Sequence, residues 1–202
     1  GLTKLLNLLL EVPVEPGRWR LVEIDCQPVS SVCMARYRRT RLADNHTLRA
    51  ALPTAWRIEH VDLDTTTATW SLPESLAARA LNLQEMPTPN AIQTLWEPSW
   101  QAVNPALQDF TLSPPGKVQI VVPNLRLPDG LEQPVSIPKG TLLPGGRVLV
   151  INAPLRSLYG LALPSTTEIS QLQVRHTLDA TPGLNVSAFS ATLKGTIYVQ
   201  LP

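Results

Sequence analysis

Cys26 and Cys33 are the chain's only cysteines, with six residues between them. Cys26 closes the run Trp19-Arg-Leu-Val-Glu-Ile-Asp-Cys26, and Cys33 lies near the start of Val32–Thr40. Both runs alternate apolar and polar residues, as half-buried strands do. The first puts Val22, Ile24 and Cys26 on one face, and the second puts Cys33, Ala35 and Tyr37 on one face. Two inward thiols on neighbouring strands meet the geometric demand of a cross-strand disulfide. The bland alternative is a pair of buried free thiols. The spacing is not a redox C-x-x-C, and two cysteines do not make a zinc site. A disulfide implies folding in an oxidising compartment. Its short loop limits the chain-entropy gain to about 2–3 kcal/mol.

The other reactive types are more scattered. Arg36, Arg38, Arg39 and Arg41 form the one local charge cluster, with Arg36 and Arg38 on one strand face. They read as a solvated strand and loop, or as a partner-binding edge for an acidic protein or anionic headgroups. His60, Asp62 and Asp64 could approach a metal from one strand, but no further ligand set accompanies them, so neither metal nor cofactor is expected. His46 reads as part of a helix start and His176 as part of a strand face. There is no G-x-S-x-G, P-loop or G-x-G-x-x-G. A hydrolase would need a Ser/His/Asp site assembled in space from one of the three histidines. Trp96 and Trp100, four apart, read as buried packing or as the walls of a carbohydrate or peptide groove. Asn45-His-Thr47 and Asn185-Val-Ser187 fit the glycosylation sequon, a short match common by chance.

Composition narrows the classes. The net charge of +1 gives no bias toward polyanions, which argues against nucleic acid as the ligand. Charged residues are 16% of the chain and prolines number 20 among 202 residues. That proline share is about twice the usual one of roughly 5%. Proline limits long helices and central strands, so short elements with stiff connections are expected.

Leu2–Leu10 predicts a short amphipathic helix ending before Pro13. Strands follow over 18–26 and 32–40, joined by a turn at Gln27-Pro28. Asp44 or Asn45 caps a helix carrying Leu48, Ala51 and Leu52. Trp56–Leu63 reads as a strand whose phase slips between Ile58 and Val61, suggesting a bulge. Ala68, Trp70 and Leu72 alternate on the next strand. Glu74–Asn82 favours helix, and a helical segment carrying both tryptophans breaks at Pro98. Further strands are expected at Lys117–Val122, at Pro134–Pro138 as an edge, at Arg147–Ile151, at Glu168–Leu178 and at Ser187–Gln200. Between the third and fourth of these, Leu155, Leu158, Tyr159 and Ala162 form a helical stripe. Gly195 falls on the apolar face of the last strand, which suits a close neighbour or a bend. Residues 32–72 and 147–200 share the pattern strand, short helix, two antiparallel strands. The expected fold is therefore α+β, with two small ferredoxin-like modules built on β-α-β-β units and antiparallel sheets. The division is 1–73, a proline-rich helical connection at 74–116, and 117–202.

Three stretches carry a family resemblance: Gly17-Arg-Trp19 leading into the strand that ends at Cys26, Cys33-Met-Ala-Arg-Tyr-Arg-Arg39, and Leu193-Lys-Gly195-Thr-Ile-Tyr198-Val199. They resemble the periplasmic region of type IVb pilus accessory proteins of the PilO-like inner-membrane class, over the two ends of the chain. The resemblance implies a non-enzymatic scaffold in pilus biogenesis, with a membrane anchor upstream of Gly1. Its implied partners are other proteins of the assembly platform. The resemblance transfers no catalytic residue and no cofactor. Separately, an exposed edge such as Pro134–Pro138 offers unpaired backbone groups, so strand addition is a natural route to a homodimer.

Overall fold

A computed structural model describes residues 2–40, 45–73, 85–98, 100, 109–112, 125–126, 132–133, 144–176 and 189–200. The first element is helix α1, Leu2–Leu10, which buries Leu2, Leu5, Leu6 and Leu9. Their spacing is that of one helical stripe, and each buried leucine contributes roughly 1.5–3 kcal/mol of transfer free energy before entropy is counted. The chain then runs through β1 (Trp19–Gln27), a 3-10 turn at Pro28–Ser30, β2 (Val32–Arg39) and α2 (Asn45–Ala51). Strands β3 (Arg57–His60) and β4 (Thr65–Ser71) complete the first half. Helix α3 starts at Pro89–Ala91 and continues as a π-helical turn over Ile92–Trp96. In that turn the Glu97 amide donates to the Ile92 carbonyl, one residue further back than in an α-helix, and the helical path runs on to Pro98. Strand β5 (Asp109–Leu112), β8 (Pro144–Pro154), α4 (Leu155–Leu158), β9 (Thr167–His176) and β10 (Phe189–Gln200) form the second half. The two-residue strands β6 (Leu125–Arg126) and β7 (Glu132–Gln133) pair only with each other.

All the large strands lie in one antiparallel sheet of eight, in the order β3-β4-β2-β1-β9-β10-β8-β5. This corrects the expectation of two separate small sheets. The physical reason is visible at β1. Its first edge pairs with β2, and its second takes up β9 over four residue pairs, Glu23–Cys26 against Leu172–Arg175. Four strands alone would bury little, whereas eight share a single core. That core gathers Leu5, Leu48, Ile92, Leu155 and Leu158 from the helices onto one sheet face, where Leu21, Ile24, Ala35, Ala68, Leu172 and Leu193 point.

Several expectations about phase hold. Cys33, Ala35 and Tyr37 are all buried, as are Leu48 and Leu52, while Ala51 is exposed. The expected face Val22-Ile24-Cys26 does not form as read. A register shift between Leu21 and Glu23 inserts Val22 as a bulge, so Trp19 and Leu21 share the core face with Ile24 and Cys26. The phase slip after Ile58 is not a bulge but the end of β3. There Asp62 accepts the amides of Asp64 and Thr65 through one carboxylate oxygen at 2.8 and 2.7 Å, closing the β3–β4 turn. Gly195 sits opposite a second register shift, and a Cβ there would lie 2.7 Å from the Glu168 carbonyl oxygen, so only glycine fits. Helix α3 and strand β5 fall inside 74–116 and hold, in the second half, the places of α1 and β1. The expected elements at 74–82, 117–122 and 134–138 lie outside the described residues, as do Asp44 and Asn185.

Tyr37 ties the segment after α1 to the sheet. Its hydroxyl donates to the Pro13 carbonyl at 2.8 Å, and burial pushes its phenol well above the ordinary value of 10.0. Because the folded value is raised, the unfolded chain loses this proton first. The stabilisation is complete below pH 10 and is lost as pH climbs from there toward the folded value. Unfolding free energy should fall there by about 1.4 kcal/mol per pH unit from Tyr37 alone. Burial raises Tyr159 and Tyr198 as well, the latter aided by Glu168, which adds to the same trend. Urea titrations of the chain and of Tyr37→Phe, above and below pH 10, check this: the variant should show the shallower decline, and equal declines would refute it.

Candidate docking surface

The site begins with the β1–β2 hairpin. Cys26 and Cys33 face each other in register and are bonded, with Cα atoms 4.1 Å apart. Among the described residues there is no free cysteine. The bond lies on the core face, beside the Trp70 position of β4 and the Leu172 position of β9. Trp70 in turn stacks on Trp56, with ring centroids 4.0 Å apart and planes within 7°.

The opposite face of the sheet is polar, and among the described residues the buried stripes of the helices pack on the core face instead. At its centre the bulge turns Glu23 out of the core, yet the residue is only 7% exposed. Arg36 of β2 reaches one carboxylate oxygen at 2.6 Å. Arg175 of β9 approaches the other at 3.6 Å, and the Gln173 amide donates to it at 2.6 Å. Next along β1, Asp25 accepts from the Gln171 amide at 3.1 and 3.2 Å. The two acids of β1 thus clamp the first half to the second. Both arginine side chains stay largely in water, at 45% and 64% exposure, so screening limits each ion pair to the modest range of surface pairs. The larger part of the clamp is that Glu23 is buried with its lone pairs answered, and an unanswered buried carboxylate would be costly.

The three described arginines of the expected partner-binding cluster have different surroundings. Arg36 is bound to Glu23. Arg38 is exposed on the same face, opposite Arg20 and Thr65. Arg39 lies on the other face with its guanidinium 5.4 Å from the centre of the buried Trp19 ring, a cation–π contact, and its amide donates to the Asp64 carbonyl. Arg41 lies outside the described residues. Arg38 and Arg39 also line an open cleft of about 770 Å³ with Asp62, Leu63, Asp64 and Thr65. Two arginines face two aspartates there, so its charges balance and it has no bias toward an anion.

Among the described residues no group of three or more acidic, histidine or cysteine side chains is placed to hold a metal, and Asp62 is engaged in its turn. His176 packs edge-on against Phe189, with centroids 5.2 Å apart. The side chains of His46 and His60 lie outside the described residues. Trp100 is buried at 1% exposure with its indole N–H donating to the Ala162 carbonyl, and Trp96 tilts against it at 6.2 Å, half-buried. Trp100 therefore offers no face to a sugar or peptide. No helix among the described residues is long and apolar enough to cross a membrane. No protein-family profile, curated protein or solved structure matches this chain.

What sequence reasoning missed is Glu23. It sits in an alternating strand like any solvent-facing acid, and its role depends on a bulge and on β9, some 150 residues away. The one available signal was apolar Val22 beside Glu23 and Ile24, an alternation that only a bulge reconciles with Trp19 and Leu21.

Proposed function

We propose that this chain is a non-enzymatic assembly scaffold of the bacterial envelope, acting in type IV pilus biogenesis through protein–protein docking. In this reading it is the periplasmic part of an inner-membrane-anchored protein, and its partners are the other proteins of the assembly platform. The observation that carries it is a continuous sheet made of two like halves, pinned by a disulfide, with helices on one face and, among the described residues, an unpaired edge at each end. Such edges offer unpaired N–H and C=O groups to an added strand. The disulfide fits an oxidising compartment. Each half is read as a ferredoxin-like module: moving the first strand of a β-α-β-β-α-β unit to its end gives the α-β-β-α-β-β order found twice here. Arg36, Arg38, Arg39 and Arg41 remain proposed docking residues only where they are not already bound, which favours Arg38.

The test is to delete the gene in the cell that makes the protein and to isolate the native protein with its envelope partners. Loss of surface pili, restored by the gene, together with co-purification of platform proteins is the expected result. Unchanged piliation without such partners would refute the reading.

A further inference from the structure

The two halves of the sheet are joined in a way that defines what its ends fit. The first half, α1-β1-β2-α2-β3-β4, lies in the order β3-β4-β2-β1, and the second, α3-β5-β8-α4-β9-β10, in the order β9-β10-β8-β5. Strand for strand, β5 stands where β1 stands and β3 where β9 stands. Taking one core-face row of each half as equivalent sets a residue-by-residue correspondence. One row across the first half reads Ile24, Ala35, Ala68, Ile58, and the matching row across the second reads Phe110, Ile151, Leu193, Leu172.

The internal joint pairs β1 with β9, so it is heterologous: unlike edges of two like units. Such a joint uses one edge of each half and leaves the other. The edges left are β3 and β5, again one of each kind, and among the described residues no strand pairs with the outer side of either. We propose that a second copy of this chain joins the sheet by setting its β3 against β5 of the first, head to tail. Transferring the internal register (Cys26 opposite Leu172, Asp25 opposite Gln173, Ile24 opposite Val174) puts Leu112 opposite Ile58, Thr111 opposite Glu59 and Phe110 opposite His60.

The faces agree in this register. Ile58 and His60 share register positions with buried Ala68 and Thr66, and Phe110 and Leu112 with buried Ile151 and Leu149. A one-residue slip would bring core-face positions of one copy against open-face positions of the other. The strands are short, four residues each, and short charged edges are one device against sheet-to-sheet pairing. Yet three pairs within these strands, with Asp109 opposite Val61 as a fourth just past β3, come to the four the chain already uses between its own halves. Val61 and Leu63, 64% and 80% exposed, continue from β3 and extend the apolar surface at that end. Because the contact does not close on itself, added copies would form an open row, each advancing about 38 Å for eight strands at roughly 4.8 Å.

This deepens the docking reading by naming a partner, and the two fail separately: pili lost on deletion with a strictly monomeric chain would keep that reading and overturn this one. The experiment mixes two single variants, Glu59→Cys and Thr111→Cys, under mild oxidation, with cross-links mapped by mass spectrometry. The expected result is a 59–111 link in the mixture, several-fold more abundant than any dimer of either variant alone. Links confined to 59–59 or 111–111, or none, would overturn the proposal. Sedimentation of the unaltered chain guards against a misfolded variant. It should show association growing with concentration, and a monomer up to about 1 mM would be decisive against the joint.

Discussion

Trp100→Ala should cost about 3–5 kcal/mol, the range for emptying a large aromatic site in a core. The indole is buried at 1% exposure, among the largest fully buried side chains of the described residues. Its N–H reaches the Ala162 carbonyl, so the substitution also removes a partner from that acceptor. The position holds helix α3 against the segment that follows α4, far away in sequence. With a urea dependence of roughly 2–3 kcal/mol per molar, the unfolding midpoint should fall by about 1–2 M. Trp100→Phe separates the two contributions. It keeps most of the ring volume and loses the hydrogen bond, so it should recover well over half of the loss. A midpoint unchanged by Trp100→Ala would show that the indole is solvent-facing and would restore the groove reading of the two tryptophans.

That tryptophan pair shows where sequence reasoning reaches its limit. Local periodicity reports which way a side chain faces within its own element, and it served well where elements are regular. The leucine stripe of α1, the inward set Cys33-Ala35-Tyr37 and the cysteine pairing follow from spacings of two, three or four residues. It also exposed the repeated strand-helix-strand-strand pattern at 32–72 and 147–200. What it did not report is which edges meet. The β1–β9 joint depends on residues such as Glu23 and Gln173, whose partners are distant, and nothing in either strand alone marks it. The segment 74–116, broken by prolines, read as a connection because its helix is short and π-wound and its strand β5 has only four residues. Once those two elements are in place, the second half repeats the whole of the first, which letters alone do not show. For the candidate surface the lesson is similar: Arg36, Arg38 and Arg39, close in sequence, are separated by strand alternation and by one buried acid.

Removing the cross-link should be the next most costly change. Cys26→Ala with Cys33→Ala, or reduction followed by thiol alkylation under unfolding conditions, should lower stability by about 2–3 kcal/mol. Most of that comes from the freedom regained by the short loop in the unfolded chain. The position adds a folded-state part. Cys26 and Cys33 are essentially unexposed, and Cys26 also faces Leu172 of β9, so the bond stiffens the hairpin at the place where the two halves meet. A reductant needs this region to open before it can reach the sulfurs. Reduction of the folded chain should therefore be slow and should accelerate steeply with subdenaturing urea. Urea unfolding of the oxidised chain and of the double variant measures the first effect, and the rate of thiol release against urea measures the second. Equal midpoints, or fast reduction without urea, would mean that the hairpin opens freely and that the sheet draws its rigidity from elsewhere. With the expected values, a chain made in a reducing compartment would lack a sizeable share of a marginal stability of about 5–15 kcal/mol, so the fold itself favours maturation where thiols are oxidised.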